Sequence, residues 1–241
     1  MVKIEKGGLT AKQAATVSVN PVTAWRMLKD FVDLRAGDWF IQNGANSGVG
    51  RAAIQLAKLW GLNNIAIVRE KGTEKTERLK NDLQDLGATH VITDEQLKDR
   101  GFHDQISEWT GGGKGTVRLG LNCVGGEPAM TMSRLLGPGA TMVTYGAMSK
   151  APLRVGASTL IFKDLRFAGF WVSRWADQNP EAKGQTVGEI LDLIREKQFS
   201  DGPTTEIEWT SKTAAAGLVE AAQGTLEGHR DGKGIFVFRD T

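Results

Sequence analysis

Cysteine occurs once in this 241-residue chain, at Cys123, so no intramolecular disulfide is available. Three scattered histidines, His90, His103 and His229, lack metal-ligand spacing, and no metal ligand is nominated. No apolar run approaches the roughly 20 residues needed to span a bilayer, so membrane insertion is not expected. The opening MVKIEKGGL contains neither a signal core nor an arginine-rich presequence, and no transit peptide is read there. Charge of one sign is scarce too: 30 basic and 28 acidic residues leave +2, without a lysine block among aromatics, which argues against nucleic acid.

Glycine, by contrast, is abundant. Its 30 copies collect at the ends of expected strands instead of recurring with a period, which suits tight α/β connections. Apolar side chains make up 40% of the chain, enough to bury one sizeable core.

Short β-rich runs alternate with segments of helical apolar spacing. Strands are expected at residues 39–43, 64–69, 87–93, 117–124, 140–145 and 165–170. Helices are expected at residues 21–31, from Val49 to the stop at Gly61, and over 76–86, 103–109, 127–136 and 187–197, with a glycine-rich loop at 111–115. Two successive sets of this kind give an α/β fold with a doubly wound parallel six-stranded sheet, helices on both faces, and strand order 3-2-1-4-5-6. Beyond it, Ile207, residues 214–222 and residues 235–238 read as a strand, a helix and a strand that return toward another layer or domain.

The most informative run is NGANSGVG, residues 43–50, where the first buried strand turns into a helix. Successive amides near Ser47, Gly48, Val49 and Gly50 point into the first helical turn, where an anion gains hydrogen bonds and the positive helix end. Gly48 lets a ligand approach the backbone, and Gly50 lets the helix pack tightly on the sheet. The strict G-x-G-x-x-G pattern is absent, because Ala45 and Ser47 occupy its first two glycine positions. A close-packed turn without ligand is the alternative.

In this fold an acidic group about 20 residues past the loop holds the ribose hydroxyls. Arg69 and Glu70 compete for that position, and Lys71 follows. A guanidinium and an ammonium together suit a 2′-phosphate, so NADPH is expected over NADH; a solvated strand end is the other reading. The ends of the fourth, fifth and sixth strands should line the opposite wall, through residues 122–126, Tyr145, Gly146, Ala147 and Met148, and Phe170, Trp171 and Val172. Tyr145 suits a cofactor contact better than proton donation. Cys123 reads as a core thiol, Trp171 as a lid or simple packing, and Asn20 and Thr23 as helix caps or cleft-facing groups.

Several segments together resemble a known family: SVNPVTAWRML, QNGANSGVGRAAIQLA, NNIAIVRE, LGATHVIT, LNCVGG, GATMVTYGAMSK and LIFKDLRFAGFW. The chain resembles mitochondrial 2-enoyl thioester reductases (trans-2-enoyl-CoA reductases) of the zinc-free medium-chain dehydrogenase/reductase superfamily. The resemblance implies NADPH-dependent reduction of the 2,3 double bond of enoyl-CoA or enoyl-ACP in mitochondrial fatty acid synthesis, in the matrix, by a homodimer joined edge to edge near residues 166–170. It implies that Asn46, Ser47, Gly48 and Val49 hold the pyrophosphate, that Arg69, Glu70 and Lys71 surround the adenosine phosphate, and that Tyr145 to Met148 and Phe170 to Val172 border the dinucleotide. Asn20 and the late Lys233 match cofactor-facing residues.

By the same resemblance, residues 1–34 are a linker and connecting helix, 35–172 the NADPH-binding Rossmann domain, and 173–241 its final helix and a tail returning to a substrate domain. Family members begin with a GroES-like domain that carries the proton-donating tyrosine, and this chain is expected to start after most of it. No catalytic residue is therefore nominated, and the chain alone is expected to bind NADPH with little turnover. An NADPH-dependent quinone or enone reductase, or a non-catalytic NADPH-binding module, are the alternatives.

Overall fold

Phe40 and Ile41 are adjacent in sequence and fully buried on opposite faces of one sheet, which fixes the layering of the molecule. The computed structural model describes residues 7–111, 116–210, 213, 215–226 and 232–239. The short helix α1 (Ala11–Thr16) opens with a capping box, in which Thr10 and Gln13 satisfy each other's amides. Helix α2 (Asn20–Asp30) follows, with Pro21 in its first turn, where the missing N–H costs nothing.

Strand β1 (Trp39–Asn43) then leads into α3 (Gly48–Leu59), β2 (Asn63–Val68), α4 (Thr73–Leu86) and β3 (His90–Thr93). A second set comprises α5 (Arg100–Trp109), β4 (Val117–Asn122), α6 (Gly126–Ser133), β5 (Leu136–Thr144), α7 (Ala157–Lys163) and β6 (Arg166–Gly169). All six strands are parallel, in the order β3-β2-β1-β4-β5-β6 expected from the sequence. Helices α8 (Val172–Gln178) and α9 (Pro180–Arg195) close this unit. β7 (Thr204–Trp209), α10 (Ala215–Leu226) and β8 (Lys233–Phe238) then form a separate two-stranded parallel ribbon.

On one face of the sheet, Met27 and Leu28 of α2, Leu56 of α3 and Ile190 of α9 pack against Phe40, Leu119 and Leu121. The other face buries Ile41, Ile65, Ile92, Ile106, Met132 and Met142. Residues 20–30, within the stretch expected to be a linker and connecting helix, form α2, whose Val22, Ala24, Met27 and Leu28 join this core.

Helix boundaries differ from the expectation where solvent-facing turns carry no apolar period. α4 starts at Thr73 and α9 at Pro180, both ahead of the first buried residues of those helices, Thr76 and Thr186. α7 has no buried residue and exposes Leu160, Ile161 and Phe162, so no one-sided stripe announced it. Of the glycine-rich loop expected at 111–115, residues 112–115 lie outside the described residues, as do His229 and residue 214.

Candidate cofactor site

The chain leaves β1 through Gly44, whose positive φ of 59° permits the sharp turn. Ala45 N–H then donates to Ile67 O of β2 at 3.1 Å, and Ser47 N–H returns to Gly44 O at 2.9 Å. Ser47 caps α3, its hydroxyl accepting from Gly50 N–H at 3.2 Å. That cap satisfies one orphan amide, while the amides of Gly48 and Val49 have no partner among the described residues. These open donors sit at the positive end of a 12-residue helix, the arrangement an anion requires.

The two glycines serve different neighbours. A Cβ on Gly50 would strike the backbone of Ala45, so this glycine sets the turn's packing and faces no ligand. A Cβ on Gly48 would strike the side-chain amide of Asn20, which lies against the turn. Asn20 is the first residue of α2 and caps nothing, and Thr23 spends its hydroxyl on Val19 O at 2.7 Å within the same helix. The helix-cap reading of both residues is thereby corrected.

A cleft of about 900 Å³ opens beside this turn. Asn20, Gly44, Asn46, Ser47, Gly48, Lys71, Met148 and Lys233 line it, bringing together positions from five separate stretches of sequence. Arg51, Lys75 and Arg78 line it as well, so five basic groups face two acidic ones, Asp82 and Asp201. Arg51, Lys75 and Arg78 were missed in the sequence because nothing there shows that α3 and α4 turn those faces to one cleft. The signal available was spacing: Lys71, Lys75 and Arg78 recur at intervals of four and three residues. Arg51 Nε is buried without a hydrogen-bond partner.

A smaller cavity of about 170 Å³ adjoins through Asn20, and is walled by Thr23, Val49, Tyr145, Phe170, Trp171 and Val172. Phe170 is anchored edge-on to Phe31 at 5.7 Å, whereas Trp171 is 63% exposed with the Arg174 guanidinium over its ring. The Tyr145 hydroxyl lies beside Cys123 and Ser47, buried and without hydrogen-bond geometry to either. Burial, reinforced by the adjacent Cys123, pushes its pKa well above the ordinary phenol value, so it stays protonated at neutral pH. Burial likewise pushes the Cys123 thiol up, which makes it a poor nucleophile.

Five nominated residues do not line either cavity, Gly50 at the turn among them. Gly146 packs on Cys123, Ala147 is exposed beside it, and Arg69 is exposed at the end of β2. Glu70 is turned toward α4: Thr76 Oγ1 donates to its Oε1 at 2.7 Å, while its own N–H donates to Asp94 Oδ1 at 2.9 Å.

Residues 48–186 match the family model described as zinc-binding dehydrogenase. The chain belongs to that family, within the medium-chain dehydrogenase/reductase superfamily. Among its relatives is a mitochondrial enoyl-[acyl-carrier-protein] reductase of Yarrowia lipolytica, 52% identical over 84% of this chain and 52% of that protein. The Schizosaccharomyces pombe protein of the same name is 42% identical over 99% of this chain and 63% of its own length. The chain thus spans between about half and two thirds of the relatives it matches. Among solved structures, the Etr1p/NADP/crotonyl-CoA complex superposes with a TM-score of 0.88 at 38% identity, covering 95% of this chain and 62% of that one. The mitochondrial 2-enoyl thioester reductase Etr1p/Etr2p heterodimer from Candida tropicalis gives 0.88 at 37% identity, over 97% and 63%. Despite the family's name, no group of three or more His, Cys, Asp and Glu among the described residues is placed to hold a metal ion. No zinc-dependent step follows from these residues.

Proposed function

We propose that this zinc-binding dehydrogenase family member forms the NADPH-binding part of an enoyl thioester reductase acting on enoyl-CoA or enoyl-ACP in mitochondrial fatty acid synthesis. The observation that carries this reading is the joining, through Asn20, of a cationic cleft at the glycine turn to a small aromatic-walled cavity. A dinucleotide needs both: amides and cations for its phosphates, and a flat slot for its ring. The likeness to Etr1p, seen with NADP and crotonyl-CoA, and to reductases named mitochondrial supports the same assignment.

When bound, NADPH supplies the hydride for reduction of the activated double bond. The chain's own share is binding and orientation. Gly48 and Val49 amides receive the diphosphate, Lys71 with Lys75 and Arg78 the adenosine phosphate, and Phe170 with Val172 excludes water from the ring slot. Residues 35–172 with α9 form the cofactor unit, and the separate β7–β8 ribbon turns Lys233 toward it. A homodimer through the outer edge of β6 fits the exposed Leu160, Ile161 and Phe162 of α7 close by.

Titration of the protein with NADPH, followed by nucleotide fluorescence and then by addition of crotonyl-CoA, tests the assignment. Saturable NADPH binding that Lys71→Ala weakens is expected. No binding, or nucleotide oxidation by a quinone but not by the enoyl thioester, would overturn it.

A further inference from the structure

Thr76 is 2% exposed at the start of α4, and its single hydroxyl does two things. It accepts from Lys71 N–H at 3.0 Å and donates to Glu70 Oε1 at 2.7 Å. Glu70 lies 20 residues past Gly50, where this class of sheet places the carboxylate that takes the ribose hydroxyls of the unphosphorylated cofactor. The same hydroxyl therefore turns that carboxylate away and fixes the backbone from which Lys71 enters the cleft. Gly72, with φ of 86°, supplies the reversal that lets the chain fold back onto α4 in so few residues.

We infer that Thr76 is a positioning residue that sets the choice between NADPH and NADH, by latching Glu70 out of the ribose position. The inference rests on the cofactor reading above and goes beyond it. With the latch closed, the phosphate end of the cleft presents Lys71, Lys75 and Arg78 to a 2′-phosphate while the Glu70 carboxylate is held aside. With the latch open, the carboxylate is released beside the ribose, where it repels a phosphate dianion and accepts from a free 2′-hydroxyl.

Dissociation constants of NADPH and NADH measured side by side test this. The unaltered chain should prefer NADPH. Thr76→Val, equal in shape but without the hydroxyl, should lower the NADPH-over-NADH ratio about tenfold, the scale of one hydrogen bond to a charged group. Thr76→Ser should restore the ratio, and so should Glu70→Gln added to Thr76→Val. An unchanged ratio in Thr76→Val overturns the inference while leaving the cofactor reading intact; failure of the unaltered chain to bind either nucleotide overturns both. Should Thr76→Val not fold, Glu70→Gln alone decides, because a latched carboxylate leaves the ratio within about twofold on neutralisation. A large rise toward NADPH would show Glu70 already facing the ribose and would overturn the latch.

Discussion

Asn43 at the end of β1 donates through Nδ2 to Asn122 Oδ1 at the end of β4, at 2.8 Å, across the point where the order of the sheet reverses. Asn43 Oδ1 accepts from Cys123 N–H at 2.8 Å, Asn122 Oδ1 accepts from Gly125 N–H at 3.0 Å, and Asn122 Nδ2 donates to Thr144 Oγ1 of β5 at 3.1 Å. Two carboxamides thus hold together the strand ends from which the walls of the cofactor crevice begin. Both are fully or almost fully buried, so each bond is made in a medium where its loss is expensive.

Asn43→Ala should therefore destabilise the fold by about 1 to 3 kcal/mol, since it leaves the Cys123 N–H unpaired in the interior and removes one bond from Asn122 Oδ1. Urea unfolding followed by tryptophan fluorescence reads this directly. A midpoint within error of the unaltered chain would mean the network contributes nothing.

Gly50→Ala and Gly48→Ala should separate stability from binding. At Gly50 the new methyl meets Ala45 backbone, which cannot step aside, and a loss of about 1 to 3 kcal/mol is expected in thermal melts. At Gly48 it meets the movable amide of Asn20, so stability should change by under about 1 kcal/mol while NADPH affinity falls roughly tenfold. Equal effects of the two substitutions in both assays would contradict this division.

Tyr145→Phe removes a buried hydroxyl without a hydrogen-bond partner and should leave the ligand-free protein as stable or about 0.5 to 1 kcal/mol more stable. A lowered melting temperature would reveal that the phenol does hold its neighbours.

His90 is stacked between Trp39, at 5.7 Å between ring centres, and Trp109, at 3.8 Å. Burial there lowers its pKa. Below about 6.5 the unfolded chain therefore takes up a proton that the folded chain resists, so stability falls as pH drops through that window and onward to the folded pKa. His90→Asn should flatten the change in unfolding midpoint between about pH 7.5 and about pH 5.5. Asp38 acts elsewhere on the scale: burial works to raise its pKa, but hydrogen bonds from Arg35 N–H and the Arg118 guanidinium outweigh it and lower the pKa. Its contribution is present above about 3.9 and is lost as pH falls through the lower folded value.

Local chemistry carried much of this molecule in legible form. The β-rich run of residues 39–43, the glycine turn after it and the helical period from Val49 together dictate a parallel strand feeding a helix, because each is a short-range constraint on backbone and burial. Handedness of the crossovers then leaves the sheet order almost no freedom. Interactions between segments distant in sequence are a different matter. Nothing within residues 18–24 says that Asn20 will lie against Gly48, and nothing along residues 48–78 says that Arg51 of α3 and Lys75 and Arg78 of α4 will face one cleft. Those outcomes depend on how α2, α3 and α4 pack, which only the assembled core fixes. The amino-acid order by itself determined the elements, their succession and the anion-binding turn. Tertiary packing decided which charges share the cleft, because direction in space, unlike period along the chain, is set by contacts between distant residues.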